Sequence, residues 1–325
     1  MKNKNILVTG GAGFIGSHIT KRLVDLGANV SVIVKYKSVI DCVRLSSIWD
    51  SISVVEADLR NIDSLCQLKN QSFDVIFHLS AYNHVGDSFL HVNEALMSNA
   101  VATANILEIL QDYGMFIYVS SSEVYGYQKP APFKEDFLPM PISPYAIGKY
   151  AGELYSSMKR HQSSQPIVCV RPFNTFGPYQ SDRAIIPELI IKCLRNMSIE
   201  TTEGRQTREF NYVDNIIDAL LLVAEVGPPL DKVINIGSNK EIAISELVKK
   251  IHEFTESKSD LRIGALPYRP TEIWNMCADN TRVEQVLGWK PRVSFDEGLR
   301  YTIDWYRKFI EVFFEPLSSL NRLCQ

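Results

Sequence analysis

A short apolar segment near the start of the chain leads into three glycines spaced three residues apart. In "NILVTGGAGFIGSHITKRLVDLGANVSVIV", Gly10, Gly13 and Gly16 separate this segment from an amphipathic stretch, and a second apolar segment runs from Val30 to Val34. The pattern predicts a βαβ unit with a tight glycine turn. Each glycine lets backbone or pyrophosphate approach where a Cβ atom would clash, and the helix N-terminus attracts phosphates. The sequence therefore predicts a dinucleotide-binding site.

The end of the second strand bears on which dinucleotide is bound. A cofactor without a 2′-phosphate is usually recognised there by an acidic residue, which binds the ribose hydroxyls. Here Val34 is followed by Lys35, Tyr36 and Lys37, and Arg44 comes soon after. The missing acid and these cations favour NADP. A solvated basic loop is the alternative, and it leaves NAD open.

Further strand patterns alternate with helical ones along the first half of the chain. The predicted strands are "SISVVEADL", which ends near Asp58, "DVIFHLSA" from Asp74 and "MFIYVSSSEVYG" from Met115, whereas "NEALMSNAVATANILEILQDYG" has helical periodicity. This alternation predicts an α/β fold with a doubly wound parallel sheet of the Rossmann type. Ligands of such sheets bind at the carboxyl ends of the strands, so Ala81 and His84 are expected to face the same crevice as Asp58.

Composition excludes several other classes of protein. The chain has 325 residues and a formal net charge of −3, which gives no general electrostatic reason to bind nucleic acid or an anionic membrane. The six cysteines are scattered without a CxxC pair, so neither a disulfide framework nor a metal site is expected. No secretory signal is recognisable, and the most apolar window, "IIDALLLVAEV", is too short to span a bilayer. We expect a cytoplasmic protein.

Tyr145 and Lys149 form a YxxxK pair in "SPYAIGKYAGELY". Residues four apart lie on one face of a helix, so both side chains can reach the same site. A nearby ammonium lowers the pKa of a phenol because it favours the phenolate. Together with the glycine turn and the serine-rich strand end, the pair resembles the extended short-chain dehydrogenase/reductase family. Within that family it is most similar to the branch of nucleotide-sugar dehydratases, epimerases and decarboxylases.

The resemblance extends almost to the C-terminus. The segments "HLSAYNHVGDS", "VRPFNTFGPYQ", "GRQTREFNYVDNIIDAL" and "LPYRPTEIWNMCADNTRVEQVLGWKP" are similar to segments of that branch, with Phe176 and Glu209 in place of the commoner Tyr and Asp. It implies a dinucleotide-binding domain in residues 1–172, to which a segment near 210–237 returns. It also implies a smaller C-terminal α/β lobe, mainly residues 173–325, that binds the substrate.

The resemblance assigns catalytic roles to residues of the strand end and the helix. In the family, a tyrosine removes the proton of a sugar 4-hydroxyl while hydride passes to the nicotinamide. Tyr145 takes this role, with Ser121 as a helper hydroxyl and Lys149 holding the tyrosine anionic and binding the cofactor ribose. Glu123 is then the expected base at C5, and Ser122 or Glu123 protonates the departing 6-hydroxyl. The alternative for Glu123 is a carboxylate that stabilises a helix N-terminus.

Further positions match the substrate side of the family's site. Asn174, Arg208 and Arg269 correspond to residues that hold the diphosphate and the adjoining sugar, and the planar fork of arginine suits phosphate oxygens. Ser88 corresponds to a substrate contact. His84 is a further candidate ligand contact, with a structural hydrogen bond as the alternative.

The cofactor side includes Asn99, which resembles an asparagine near the nicotinamide, although a structural amide inside a helix is the alternative. The expected cofactor contacts are Gly10, Gly13, Phe14, Ile15, Gly16, Lys35, Lys37, Arg44, Asp58, Leu59, Leu79, Ala81, Asn99, Tyr145, Lys149 and Pro172.

The resemblance leaves several functions open. The leading hypothesis is an NDP-hexose 4,6-dehydratase, because Ser122-Glu123 resembles the pair of GDP-mannose 4,6-dehydratases. UDP-hexuronate decarboxylases share that pair, and an NDP-sugar epimerase is a third possibility. The non-enzyme alternative is a cofactor-binding regulatory protein, against which the intact Ser121, Tyr145 and Lys149 argue.

The substrate nucleotide and the oligomeric state follow from resemblance alone. "RPFNTFGPYQSDRAIIPELI" resembles UDP-N-acetylhexosamine dehydratases of surface-glycan pathways and favours a UDP-sugar, with GDP-, CDP- and dTDP-sugars as alternatives. The apolar faces of the helices around Asn99 to Leu110 and Lys149 to Met158 match a four-helix homodimer interface in the family. A face buried within one chain would show the same periodicity.

Overall fold

The computed structural model describes residues 1–35, 43–127, 131–163, 165–227, 233–268 and 272–314. Two residues of the expected site, Lys37 and Arg269, lie outside these ranges.

A seven-stranded sheet forms the centre of the fold. Its strands are β1 (Asn5–Thr9), β2 (Asn29–Val34), β3 (Ile52–Glu56), β4 (Val75–His78), β5 (Phe116–Val119), β6 (Ile167–Pro172) and β7 (Val233–Ile236). They lie in the order β7-β6-β5-β4-β1-β2-β3, and every neighbouring pair is parallel. The strand order reverses beside β1, so the prediction of a doubly wound parallel sheet is confirmed.

Helices connect the strands and pack on the sheet. They are α1 (Phe14–Asp25), α2 (Val92–Leu96), α3 (Ala102–Ile109), α4 (Pro144–Ser163), α5 (Ile185–Leu194), α6 (Val213–Val226), α7 (Ile244–Phe254), α8 (Thr281–Leu287) and α9 (Phe295–Phe314). A π-helical turn, Met97–Val101, joins α2 to α3, and a 3₁₀ turn, Ser122–Tyr125, follows β5. Among the helices of the described ranges, none combines the length and apolar character that crossing a membrane requires.

The core has a layer on each side of the sheet because successive strand residues point to opposite faces. On β1, Ile6 and Val8 belong to one buried cluster, and Leu7 between them belongs to the other. Helix α4 lies very close to the second layer. A Cβ atom added to Gly152 would lie 2.3 Å from Tyr118 Oη, so only glycine permits this distance between α4 and β5.

The second half of the chain adds short two-stranded ladders around the carboxyl edge of the sheet. Thr207–Glu209 pairs antiparallel with Glu241–Ala243, and Thr175–Phe176 pairs in parallel with Asn211–Tyr212. Between these ladders, the chain returns to the central sheet through β7, which pairs with β6. Residues of both halves therefore surround one edge.

The Glu209 carboxylate joins these ladders to the end of β7. The residue is fully buried, and its carboxylate accepts hydrogen bonds from Ala278 N at 2.8 Å, from Asn211 Nδ2 at 3.0 Å and from Ser238 N. Burial raises the pKa of Glu209, and these donors oppose that shift. Glu209, which stands where the family commonly has the shorter Asp, thus has a structural role.

We expect Glu209→Ala to lower the free energy of unfolding by about 3 kcal/mol, because it leaves three buried donors without an acceptor. Denaturant unfolding measures this. The control is Glu200→Ala, which removes an exposed partner of Arg262 and should leave the denaturation midpoint nearly unchanged. Equal midpoints for the two variants would show that Glu209 does not hold the ladders together.

Candidate active site

A cavity of about 610 Å³ opens at the carboxyl edge of the sheet. Most of the residues expected from the sequence line it. They are Gly10, Gly13, Phe14, Ile15, Gly16, Lys35, Asp58, Leu59, Leu79, Ala81, His84, Ser121, Ser122, Glu123, Tyr145, Lys149, Pro172 and Asn174. Four expected residues of the described ranges do not line it, namely Arg44, Ser88, Asn99 and Arg208.

The glycine turn fits the pyrophosphate of a dinucleotide. Gly10 has φ +66°, and a Cβ atom there would lie 2.8 Å from the Ser80 backbone; one at Gly16 would lie 2.0 Å from Gly10 O. Helix α1 begins directly after the turn, with no side chain capping its N-terminus and no acidic residue in its first turn. Its first N–H groups and the positive end of its dipole therefore face the cavity without a competing anion.

Charged residues line the cavity near the ends of β2 and β3. Arg60 binds Asp58 with two nitrogens, Nε to Oδ1 at 2.9 Å and Nη2 to Oδ2 at 2.5 Å, and Glu94 Oε2 with Nη1 at 2.6 Å. The hydrogen bonds from Arg60 lower the pKa of Asp58 to about 2. Lys35 lines the cavity nearby. Arg44 does not line the cavity, and its guanidinium donates to the Ala12 and Tyr179 carbonyls. Its contact with a cofactor stays a prediction.

Ser121, Tyr145 and Lys149 meet at the inner end of the cavity. All three are buried, and the Ser121 hydroxyl hydrogen-bonds the Tyr145 phenol. Ser121 also accepts a hydrogen bond from Glu123 N at 3.2 Å and so caps the 3₁₀ turn. Lys149 Nζ donates to Val119 O at 2.7 Å. The YxxxK spacing thus places both side chains in one site, as expected.

Burial dominates the electrostatics of this group. It raises the pKa of Tyr145 to about 12, although the hydrogen bond from Ser121 works in the opposite direction. It lowers the pKa of Lys149 to about 7, and the negative charge of Glu153 opposes that shift. We expected an ammonium to lower the pKa of the phenol. This expectation is wrong for the structure, because the loss of hydration and the negative charge of Glu123 both raise the pKa of Tyr145.

Glu123 is half-buried and lines the cavity beside this group. Burial raises the pKa of its carboxyl; the positive charge of Arg208 opposes the shift, and the negative charge of Glu272 adds to it. Within the described ranges, the carboxylate makes no hydrogen bond, and Ser121 caps the turn instead. The alternative role of Glu123 in stabilising a helix N-terminus therefore finds no contact in its favour.

Ser122 is also buried next to the cavity, and its hydroxyl donates to Met276 Sδ at 3.3 Å. A thioether is a weak acceptor, so little energy holds the hydroxyl in this direction. No motif in the sequence pointed to Met276, which lies far along the chain.

Two expected contacts are structural instead. Ser88 is fully buried and donates to Val85 O at 2.6 Å, so it cannot contact a substrate in this arrangement. Asn99 is also buried; its Oδ1 accepts from Tyr82 N at 2.8 Å, and its Nδ2 donates to Tyr82 O and Tyr145 O at 3.2 and 3.4 Å. It holds the loop after β4 against the start of α4, which is the alternative that the sequence left open.

Hydrogen bonds and an ion pair fix several polar side chains of the cavity wall. Asn174 Nδ2 donates to Glu209 O at 3.2 Å, and His84 Nδ1 accepts from Asp87 N at 3.0 Å. Asp87 also pairs with Arg183, which comes from the second half of the chain and lines the cavity.

Arg208 lies just outside the lining. Its Nη2 binds Glu272 Oε1 at 2.8 Å, and its Nη1 donates to Ile273 O at 2.6 Å. The guanidinium is thus held by Glu272, and its positive charge acts on the carboxyl of Glu123.

Comparison with known proteins decides the family. Residues 7–302 match the family described as GDP-mannose 4,6 dehydratase. The chain belongs to this family.

Relatives of the chain have three different activities. The dTDP-D-glucose 4,6-dehydratase of Bos taurus is 31% identical over 319 residues, which cover 94% of this chain and 89% of the relative. A UDP-N-acetyl-alpha-D-glucosaminuronate decarboxylase of Bacillus cytotoxicus is 32% identical over 326 residues and covers 94% and 98%. The structure of a mutant Bacillus cereus UDP-glucuronic acid 4-epimerase with NAD has a TM-score of 0.87 at 28% identity and covers 94% and 99%.

The resemblance noted in the sequence is therefore confirmed at the level of the family and of its nucleotide-sugar dehydratase and epimerase superfamily. Four residues that line the cavity or contact residues of the site were not identified from the sequence. They are Arg60, Arg183, Glu272 and Met276. Arg60 had a local signal, since it stands two residues after Asp58 beyond a predicted strand. The others are brought in by long-range contacts, which no local pattern announces.

Proposed function

We propose that this protein is a nucleotide-sugar 4,6-dehydratase, which converts an NDP-hexose into an NDP-4-keto-6-deoxyhexose. The observation that carries the proposal is the Glu123 carboxylate. It lines the cavity beside Ser121 and Tyr145 and makes no hydrogen bond with the described residues. A carboxylate without a structural partner, next to a site built for oxidation, is suited to move a proton of the substrate.

The first task of the site is to remove a proton from the sugar 4-hydroxyl. Tyr145 Oη receives this proton as the phenolate, which the hydroxyl of Ser121 stabilises by hydrogen bonding. Lys149, one turn further along α4, supplies positive charge in the same buried pocket. When bound, the nicotinamide supplies a hydride acceptor at C4 and a hydride donor at C6. The product of this first step is a 4-keto sugar.

The second task is to break the C5–H and C6–O bonds. A 4-ketone acidifies the C5 hydrogen, and the Glu123 carboxylate removes it. The electron pair of the C–H bond forms the C5–C6 double bond and expels the 6-hydroxyl as water. Because burial raises the pKa of Glu123, its acid form persists closer to neutral pH and can protonate that leaving group. Addition of hydride at C6 would leave an enolate, whose C5 then takes up one proton, which balances the proton that the 4-hydroxyl lost to Tyr145.

Ser122 has an accessory role in this scheme. Among the described residues, its hydroxyl bonds only to the weak acceptor Met276 Sδ, so it is free to turn toward the 6-hydroxyl. We propose that it relays the proton of Glu123 to the leaving oxygen.

The substrate side is proposed to bind the diphosphate and the sugar. Asn174 and His84 line the cavity, and Arg208 lies beside it in a pair with Glu272. A diphosphate offers the guanidinium stronger and bidentate acceptors than one carboxylate does. Arg269 lies outside the described residues and stays a candidate. The preference for a UDP-sugar rests on sequence resemblance.

Decarboxylation of a UDP-hexuronate is the second candidate. It shares the oxidation at C4, but then needs a cation near the substrate carboxylate and no base at C5. Arg183 lines the cavity and is such a cation, although it pairs with Asp87. The similarity to the Bacillus cytotoxicus decarboxylase favours this alternative. A 4-epimerase needs neither group.

We expect the wild-type protein to convert a member of an NDP-hexose panel into a product lighter by one water. Tyr145→Phe should lower this rate at least about 10²-fold, since no phenolate can form. Glu123→Gln should also stop water loss yet still yield some 4-keto sugar, because the oxidation needs no acid at position 123. Mass spectrometry distinguishes the products.

The control for this experiment is Glu188→Gln on α5, an exposed carboxylate that pairs with Lys192. It should keep wild-type activity. Release of carbon dioxide from a UDP-hexuronate without water loss from any hexose would replace the dehydratase by the decarboxylase. A change of configuration alone would identify an epimerase, and cofactor binding without turnover would favour a regulatory protein.

We propose NADP as the preferred cofactor, with NAD as the alternative that relatives of known structure support. Lys35 lines the cavity at the end of β2, where an acidic residue would favour NAD. Asp58, an acid that lines the same cavity, is already bound by two nitrogens of Arg60.

We expect NADPH to bind more tightly than NADH, and Lys35→Ala to weaken NADPH about tenfold with little effect on NADH, because only NADPH has a 2′-phosphate. Titration of cofactor fluorescence measures both. Lys69→Ala, at an exposed position remote from the cavity, is the control. Tighter binding of NADH by the wild type would overturn the preference.

We also propose a homodimer formed through α3 and α4. Ile147, Leu154 and Met158 are exposed at 47, 55 and 45% and recur at helical spacing on one face of α4, and Val101 is exposed beside them at 37%. Such a contiguous apolar face is typical of an interface with a second copy.

We expect the double variant Leu154→Glu/Met158→Glu to be monomeric where the wild type is dimeric, because the charges would be buried in the interface. Light scattering after size-exclusion chromatography measures the mass. Met197→Glu, at an exposed apolar residue elsewhere, is the control. A monomeric wild type at micromolar concentration would contradict the proposal.

A further inference from the structure

A buried ion pair lies directly behind the candidate active site. Arg171 on β6 and Glu153 on α4 are 3 and 5% exposed. Arg171 Nε donates to Glu153 Oε1 at 2.9 Å and its Nη2 donates to Oε2 at 2.6 Å, which makes the pair bidentate. Neither side chain lines the cavity. Burying two charges is costly, so the pair needs a reason beyond stability alone.

The pair connects the elements that carry the site. Arg171 is followed by Pro172 of the cavity wall, and its guanidinium lies 4.7 Å from the ring centre of Tyr125, in the turn that carries Glu123. The Tyr125 hydroxyl in turn donates to Asn235 Oδ1 on β7 at 2.7 Å. Helix α4, the turn after β5, and strands β6 and β7 are therefore joined by one polar network.

Glu153 also stands four residues after Lys149 on α4, so both side chains project from the same face of the helix. Lys149 is 3% exposed, and its only hydrogen bond within the described ranges is the one to Val119 O. The titratable groups that interact with it from the packed elements are His78 on β4, Tyr118 on β5 and Glu153 on α4. Glu153 is the one carboxylate among them.

We propose that Glu153 is a positioning residue for the oxidation step: held in place by Arg171, its carboxylate keeps the Lys149 side chain protonated in the buried site. The inference rests on the proposed function only through the shared role of Tyr145 and Lys149, and it is independent of whether water, carbon dioxide or neither is lost afterwards.

The direction of the electrostatic effect supports this role. Burial lowers the pKa of Lys149 to about 7, and the charge of Glu153 opposes that shift. The ammonium is therefore present below about pH 7 and is lost as the pH rises through this value. Neutralising Glu153 removes the opposing effect, so protonation of Lys149 is then lost at a lower pH. Arg171 offsets the cost of burying the carboxylate and prevents it from turning away.

The test compares Glu153→Gln, Glu153→Asp and the double variant Glu153→Gln/Arg171→Met with the wild type. The double variant removes both charges, so no buried guanidinium is left without a partner. The readout is the pH dependence of NADPH and NADH affinity, measured by fluorescence titration, followed by the pH profile of turnover. Binding of cofactor requires no knowledge of the sugar substrate.

We expect cofactor affinity to weaken above about pH 7 in the wild type and in Glu153→Asp, which keeps the charge. In Glu153→Gln and in the double variant, this inflection should move to lower pH by about one unit, so that affinity at pH 7 falls several-fold. Loss of stability in the single variant alone would reflect the unpaired Arg171, whereas the shifted inflection of the double variant reflects the missing carboxylate.

A wild-type pH inflection in the double variant would overturn the inference. Failure of the proposed function is distinguishable, since no sugar nucleotide would then lose water with the wild type while the binding inflections still differ among the variants. If Glu153→Gln does not fold, the comparison of Glu153→Asp with the double variant carries the test.

Discussion

The close contact between α4 and the sheet is the constraint on which the site depends. Gly152 allows the helix to approach Tyr118, and a Cβ atom at Gly148 would lie 2.9 Å from Asn99 Cβ. Because the helix lies so near the sheet, Tyr145 and Lys149 are almost inaccessible to solvent, and burial is the largest cause of their pKa shifts. Burial raises the pKa of the phenol, and the same low-dielectric environment strengthens its interaction with any neighbouring charge. Chemistry in this site is therefore controlled by a few fixed charges.

A network of buried hydrogen bonds connects the ends of β1 and β4 to the residues that pack against this helix. Ser80 N donates to Thr9 Oγ1, which lies 2.7 Å from His78 Nδ1, while His78 Nε2 lies 3.1 Å from Thr103 Oγ1. Since the Thr103 hydroxyl donates to Asn99 O, it accepts from His78, and the histidine carries its proton on Nε2. Burial lowers the pKa of His78 to about 3, so the ring stays neutral. Asn99 at the end of this network supports Tyr145, which explains why it lies behind the cavity instead of lining it.

These two features explain which parts of the fold and the site the sequence could predict. The glycine turn, the alternation of strands and helices and the YxxxK pair are local patterns, and spacing alone determines their geometry. The family resemblance implies ligand contacts for Ser88 and Asn99. The structure shows both side chains buried. Position along a motif does not reveal where a side chain points. Arg208 and Ser122 meet Glu272 and Met276 only after the second half of the chain folds over the sheet edge. Contacts of that kind form through tertiary packing and leave no recognisable pattern in any short segment of the sequence.

Family membership and local chemistry answer different questions about this protein. In the proposed function, oxidation at C4 uses the buried Tyr145 and Lys149, and this part of the site is compatible with dehydration, decarboxylation and epimerisation alike. What distinguishes the three outcomes is the group that meets C5 and C6 after the ketone forms. On the proposed function this group is Glu123, which lines the cavity with Ser121 and Tyr145 and has a pKa raised by burial, with Arg208 opposing the shift and Glu272 adding to it. The charge of Arg208 lowers the pKa of Glu123, so a diphosphate that drew Arg208 away would raise this pKa and make the carboxylate a stronger base.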